Sequence, residues 1–170
     1  MIVAETDRLI ISKFTTDDAS FFMELVNTPN WIKFIGDRHI DTLEKAANTI
    51  KEGHLKSYNA HGFGFYKLLL KSDGLKPIGT CGLIKRDSLE HPDIGFAFLP
   101  AYEGFGYGYE SSIAILGLAE KEFQLDTVYG ITLQENARSI RLLEKLGLSY
   151  QKMVKPFDDD QELLLFAKTF

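Results

Sequence analysis

Three glycines at alternate positions, Gly104, Gly106 and Gly108, stand between an apolar run that reads as a strand and a run that reads as a helix. Residues without a Cβ can take φ > 0, so successive main-chain N–H groups in such a turn can converge on one anion instead of pairing with a strand. The helix that follows adds its own unpaired N–H groups and the positive end of its dipole, a site suited to pyrophosphate. The bland alternative is a glycine-rich connection and nothing more. Spacing excludes two other phosphate binders. A P-loop closes on Gly-Lys followed by Ser or Thr, and Gly106-Tyr107-Gly108-Tyr109 supplies neither. A dinucleotide fingerprint reads G-x-G-x-x-G early in the chain, with an acid about twenty residues on at the tip of the next strand. Here the pattern is G-x-G-x-G, it falls late, and Asp126 begins the next strand.

With 170 residues the chain is expected to form one domain spanning 1–170 around one core. Its hydrophobic content of 45% and charged content of 25% suit a globular protein, and a net charge of −5 argues against duplex nucleic acid or an anionic membrane as partner. Cys81 is the only cysteine, which rules out an internal disulfide or a cysteine-based zinc cluster and suits a reducing cytoplasm. Its setting in Ile78-Gly79-Thr80-Cys81-Gly82-Leu83-Ile84 reads as a buried strand. The start, Met1 to Asp7, has no basic segment followed by an apolar run, and no later stretch reaches the length of a membrane span. A cytoplasmic location is therefore expected.

A first strand falls within Arg8–Phe14, followed by a helix capped at Thr15-Thr16-Asp17-Asp18 and running to about Asn27, with Pro29 as its stop. Asp41-Thr42-Leu43-Glu44 opens another helix, to about Tyr58. Strands are expected at 63–70, 78–85 and 94–99, with Glu90-His91-Pro92-Asp93 as a turn between the last two. A helix over about 108–123 and a strand over 126–133 follow. Asn136 caps a further helix that ends at Gly147, and strands at 148–154 and 162–168 flank the polar turn Pro156–Asp160. The expected class is α+β, a mixed but mostly antiparallel sheet of about seven strands flanked by about four helices.

Two stretches taken together resemble a known family. Phe96-x-Phe98-Leu99-Pro100-x-Tyr102-x-Gly104-x-Gly106-x-Gly108-x-Glu110 precedes Asn136-x-x-Ser139-Ile140-Arg141-Leu142-Leu143-Glu144-Lys145-Leu146-Gly147, and Thr6-Asp7-Arg8-Leu9 with Asp17-Asp18-Ala19 opens the chain. This pattern resembles the GNAT acetyltransferase superfamily, and within it the ribosomal-protein N-acetyltransferase branch. The resemblance implies acetyl-CoA as cosubstrate, with no metal. Its pyrophosphate would lie on the backbone of Gly104, Phe105, Gly106, Tyr107, Gly108 and Tyr109. Its pantetheine arm would pair with the strand near Phe98 and Leu99, where a bulge would splay that strand from the one starting near Asp126. Asn136 matches a second cofactor-contacting motif, although capping alone also explains it. Arg141 reads as a solvated helix residue or a phosphate contact.

Two residues depart from the family pattern. Glu103 stands where Gln or Arg is usual and brings negative charge toward the pyrophosphate unless it points outward. Leu143 stands where many relatives carry a tyrosine that protonates the departing sulfur. A thiol has a pKa near 8.5, so a thiolate leaves readily and the acid is less needed. Ser139, one turn earlier, could supply a hydrogen bond instead. An alkylammonium must also lose a proton before it attacks a thioester, and Asp93 is the first candidate base, with Glu162 and Asp160 as rivals. His39, His54, His61 and His91 have no metal-ligand spacing and read as surface or packing residues. The implied reaction is acetyl transfer to a primary amine by direct attack in a ternary complex. A non-catalytic acyl-CoA-binding or sensing module is the alternative. The acceptor stays open among protein N-termini, polyamines, amino acids and antibiotic amines, and the chain could be a monomer or a homodimer.

Overall fold

The structure, a computed structural model, describes residues 1–170. One eight-stranded sheet runs through it: β1 (Ile2–Glu5), β2 (Leu9–Lys13), β3 (Phe65–Leu70), β4 (Lys76–Ile84), β5 (Asp93–Phe98), β6 (Thr127–Thr132), β7 (Ser149–Val154) and β8 (Leu163–Thr169), in the spatial order β1-β2-β3-β4-β5-β6-β8-β7. Every neighbouring pair is antiparallel except β5 with β6. Six α-helical segments accompany it: α1 (Ala19–Val26), α2 (Pro29–Phe34), α3 (Leu43–Thr49), α4 (Lys56–His61), α5 (Tyr107–Lys121) and α6 (Ala137–Lys145). A π-helical stretch, Ile50–Leu55, joins α3 to α4 into one continuous rod.

The α+β class and the mostly antiparallel sheet agree with expectation. The eighth strand, β1, is short, exposed at both ends, and pairs with β2 only across a register shift, so it has little apolar patterning to betray it. Pro29 does not simply stop a helix. It is the first residue of α2, where its missing N–H costs nothing because that donor is unpaired in any helix. Asp18 accepts from the Thr15 N–H at 2.8 Å, the return bond expected at the start of α1.

Two apolar clusters sit on the sheet. The larger packs α5 (Ile115, Leu116, Ala119) and α6 (Leu143, Leu146) against residues of β2, β3, β4, β6 and β8. The smaller gathers Phe14, Phe22, Leu25 and Val26 with Ala46 and Ile50 under the α3 rod. Cys81 lies in the larger cluster, fully buried, and burial pushes its thiol up to about 11. It is a packing residue, not a nucleophile. No helix is long and apolar enough to cross a membrane.

The feature that positions the site is the junction of β5 and β6. Against β4, β5 holds register from Gly79↔Phe98 to Ile84↔Asp93, and β6 holds register with β8 from Thr127↔Thr169 to Thr132↔Leu164. Between β5 and β6 only Asp93↔Tyr129 is paired. The two parallel strands therefore part beyond Asp93, leaving a wedge. The expected bulge is not the cause, because β5 shows no register shift; the one nearby falls between Leu68 and Leu69 of β3.

Candidate active site

Hydrogen bonding in antiparallel pairs alternates from residue to residue along a strand. The Leu99 N–H donates to the Ile78 carbonyl at 2.9 Å, which fixes that alternation in β5. The backbone groups of Phe96 and Phe98 then point away from β4, into the wedge. Phe98 is thus placed to offer an N–H and a C=O to an extended guest. Leu99 is not. Its N–H is taken by Ile78, its carbonyl accepts from the Tyr102 N–H at 2.9 Å, and its side chain is buried in the smaller cluster. It also lies outside the cavity described below. The Leu99 N–H and carbonyl are thus engaged within the chain, which leaves Phe98 as the better-placed of the two expected strand contacts.

The glycine turn divides its work among the three glycines. Gly104 and Gly106 sit at φ +81° and +83°, a conformation that costs a Cβ-bearing residue about 1–2 kcal/mol. Gly108 does not. It lies within α5, where a Cβ would stand 3.1 Å from Leu142 of α6 and 3.5 Å from the Phe98 ring, so its role is close packing. With Gly106 as N-cap, the first helical bond is Glu110 N–H to Gly106 O at 3.1 Å. None of the six N–H groups from Gly104 to Tyr109 donates to another group of the chain. Six free donors on two left-handed residues and a helix start make a cradle of N–H groups, an arrangement that favours an anion.

Side chains hold this cradle from the far end of the sequence. Arg8 donates through Nη1 to the Phe105 carbonyl at 2.8 Å and through Nε to Glu110 Oε2 at 2.6 Å, and its guanidinium lies 4.4 Å from the Tyr107 ring centre. Thr6 Oγ1 and the Arg8 N–H both donate to Glu110 Oε1, at 2.6 and 2.9 Å. Burial would raise the Glu110 pKa, but these hydrogen bonds outweigh it and hold the carboxyl below its ordinary value. Glu103, feared as a repulsive neighbour, accepts from Asn30 Nδ2 at 3.1 Å and from Arg138 at 3.3 Å. Its charge is answered within the protein. Phe105 is exposed and is not among the residues that line the cavity described below.

A cavity of about 830 Å³ runs from this cradle through the wedge. Phe98, Gly104, Gly106, Tyr107, Gly108, Tyr109, Asn136, Ser139 and Asp93 all line it. Asn136 caps α6, its Oδ1 accepting from the Ser139 N–H at 3.2 Å, which leaves its Nδ2 as a donor. Ser139 Oγ makes no hydrogen bond within the chain and lies one turn before Leu143. Leu143 itself is fixed by packing: a Cβ on Gly130 of β6 would come within 2.6 Å of it.

Asp93 is the residue the sequence describes least well. It is not a solvated turn residue but the buried first residue of β5, at the apex of the wedge. Arg86 Nε donates to its Oδ1 at 2.7 Å, while its Oδ2 is only 3.5 Å from Arg86 Nη2 and so less firmly held. Burial raises its pKa to about 6, against the lowering effect of Arg86. Glu162 and Asp160 are both exposed and line no part of the cavity. His54 is the residue that sequence reasoning undervalued. It packs 4.7 Å from the Phe14 ring and 5.1 Å from Phe22, on the cavity wall, and burial lowers its pKa to about 4. Its helical spacing signalled burial but could not signal a cavity.

A split sheet with an anion cradle beside its open end defines the GNAT type of acetyltransferase fold. The acetyltransferase (GNAT) domain family matches residues 8–149, and the chain belongs to that family. The uncharacterized N-acetyltransferase YnaD of Bacillus subtilis (strain 168) is 29% identical over 150 residues, 88% of this chain and 84% of that one. An acetyltransferase from Agrobacterium tumefaciens str. C58 superimposes with TM-score 0.83 at 18% identity, covering 100% of this chain and 95% of that one. RimL, a ribosomal L7/L12 α-N-protein acetyltransferase solved in complex with coenzyme A, does so with TM-score 0.84 at 11% identity, covering 99% and 98%.

Proposed function

We propose that the chain is an acetyl-CoA-dependent N-acetyltransferase that acts on a primary amine by direct attack. The observation that carries this reading is the row of six unpartnered N–H groups from Gly104 to Tyr109, set beside a strand whose Phe96 and Phe98 backbone groups are also free. The cradle suits the diphosphate, and the wedge suits an extended arm bearing amide groups. RimL's complex with coenzyme A supports the same assignment by analogy of fold.

Acetyl-CoA supplies an activated acyl group: its C–S bond breaks as a C–N bond forms, and an ammonium becomes an acetamide with release of one proton overall. The chain's residues manage that proton and the geometry. Asp93 Oδ2, at the wedge apex and less tightly held by Arg86, accepts a proton from the ammonium. A pKa near 6 keeps it ionised at neutral pH while placing it closer to the operating range than an ordinary aspartate. Ser139 Oγ, free of other bonds, offers a hydrogen bond to the sulfur. The N–H of Phe98 is available to a carbonyl oxygen as it gains charge. Holding amine and thioester together supplies much of the remaining rate.

Mixing the protein with acetyl-CoA and a panel of primary amines, and following thiol release with mass spectrometry of the products, tests this. Amine-dependent release is expected, and Asp93→Asn is expected to lower kcat at neutral pH by roughly 100-fold or more with little change in coenzyme A affinity. Tight coenzyme A binding without release on any amine would make the chain a binding module instead.

Arg8 acts on the cradle from outside it. Arg8→Ala removes two hydrogen bonds that pin Phe105 and Glu110, and it is expected to weaken coenzyme A binding about 10-fold while kcat at saturation changes little. Calorimetric affinity that stays unchanged would remove Arg8 from the positioning role.

A further inference from the structure

The cavity is electrostatically lopsided. Seven lysines and arginines line it but only two carboxylates, Asp93 and Glu103, on a chain whose net charge is −5. Both carboxylates are already bound, to Arg86 and Arg138. Arg138, Arg141 and Lys145 all lie on α6: Arg138 holds Glu103, Lys145 lies 4.2 Å from the Tyr109 ring centre, and Arg141 is on the side that the proposed coenzyme A phosphates would take. The remaining four cations lie elsewhere along the cavity, and three have partners. Lys56 pairs with Glu52, Lys85 donates to the carbonyls of Arg86 and Leu89 at 2.9 and 2.6 Å, and Arg86 holds Asp93. Arg38 has none. No carboxylate lies within ion-pair distance of it, and the adjacent Asp37 is turned to His39 at 3.5 Å.

Arg38 lies in the connection between α2 and α3, exposed at the cavity's edge; partial desolvation of its guanidinium, then the charge of Arg86, lower its pKa, and its own charge in turn helps to lower that of His54. A buried donor without an acceptor also lines the cavity: the Trp31 indole N–H is bonded to nothing in the chain. Buried donors are normally satisfied. The Trp31 N–H can only donate, so what completes it must bring an acceptor; the exposed Arg38 fork is met by water, and a guest that displaces that water must bring oxygen acceptors, a guanidinium favouring a planar anion.

We propose that the acceptor is an amine that carries a carboxylate, and that Arg38, with the Trp31 N–H, receives that carboxylate while the amine reaches Asp93. This rests on the acetyltransferase reading above and narrows its substrate class: polycationic amines are disfavoured by the same charges. The carboxylate can belong to a free amino acid or to an acidic residue of a peptide beginning with a free amine. These two sources share the recognition chemistry.

The test compares matched acceptors on the wild-type chain, Arg38→Gln and Arg38→Lys: free amino acids against their amides, short peptides with Asp or Glu near the N-terminus against the Asn or Gln versions, and spermidine. Thiol release is read as kcat/KM, alongside coenzyme A affinity. Carboxylate acceptors are expected to exceed their amides, with the amino-acid or the peptide arm identifying the source. Arg38→Gln is expected to lower kcat/KM for those acceptors by about 10–100-fold through KM, with Arg38→Lys partly restoring it and amide acceptors scarcely changed. Coenzyme A affinity that holds in both variants certifies the fold. Turnover of spermidine or amides as efficient as that of carboxylate acceptors, or an equal loss on all acceptors in Arg38→Gln, overturns the proposal while leaving the acetyltransferase standing. Absence of turnover on every amine overturns both.

Discussion

Replacing Gly104 and Gly106 together by valine is expected to lower coenzyme A affinity by about 100-fold or more while the protein remains folded. Both positions have φ near +80°, where a β-branched residue is strained in any surroundings. A Cβ at Gly106 would in addition stand 3.4 Å from the Arg8 guanidinium. The turn would relax toward φ < 0, and the N–H groups it aims would scatter. Gly74→Val is the control. Gly74 has φ +61° in the turn between β3 and β4 with nothing within 4 Å of a Cβ, so the same strain there costs stability without touching the cradle. Calorimetry gives the affinities and circular dichroism certifies the folds. An affinity unchanged in the double variant would sink the cradle.

His54 and Asp93 are expected to impose opposite pH slopes on stability. His54 titrates near 6.5 when unfolded but about 4 in the fold, so between those values the unfolded chain binds the extra proton and stability falls as pH falls. Asp93 titrates near 3.8 when unfolded but about 6 in the fold, so over nearly the same window the native chain holds the extra proton and stability falls as pH rises. Each contribution amounts to about 3 kcal/mol across its window. The two largely cancel in the wild type. Relative to it, His54→Leu should gain about 3 kcal/mol as pH drops from 6.5 to 4, and Asp93→Asn a similar amount as pH rises from 4 to 6. Urea titrations at intervals of half a pH unit measure both, about 0.5 unit being ample against slopes of about 1.4 kcal/mol per unit. Parallel profiles for wild type and variants would mean that neither group is buried in solution. The same Asp93 value predicts that kcat/KM rises with pH through about 6, because only the carboxylate can take a proton.

Much of this site was legible before any coordinates. The glycine spacing signalled the left-handed turn at Gly104 and Gly106 and the start of α5, because both are local events decided by residues a few positions apart. The Asn136 cap and the Gly147 stop of α6 were readable for the same reason. What failed locally failed through neighbours distant in sequence. Gly108 read as a third flexible turn residue, yet Phe98 and Leu142 make it a packing glycine. Leu99 matched a motif, yet Ile78 and Tyr102 use its backbone. Asp93, named from the sequence as the first candidate base, also read as a turn residue after His91-Pro92, yet it is the buried first residue of β5, where burial raises its pKa to about 6.

The sequence by itself determined the family, the α+β class and the glycine turn that opens α5, because these rest on residue patterns within segments and on the order of those segments along the chain. Only the tertiary structure decided that the sheet splits without a bulge in β5, that Arg8 clasps the cradle across 97 positions of chain, that Glu103 is neutralised, and that Arg38 is left without a partner. The reason is physical: a turn's conformation is set by the residues within it, whereas a charge's burial and the identity of its partner depend on whatever the folded chain brings alongside.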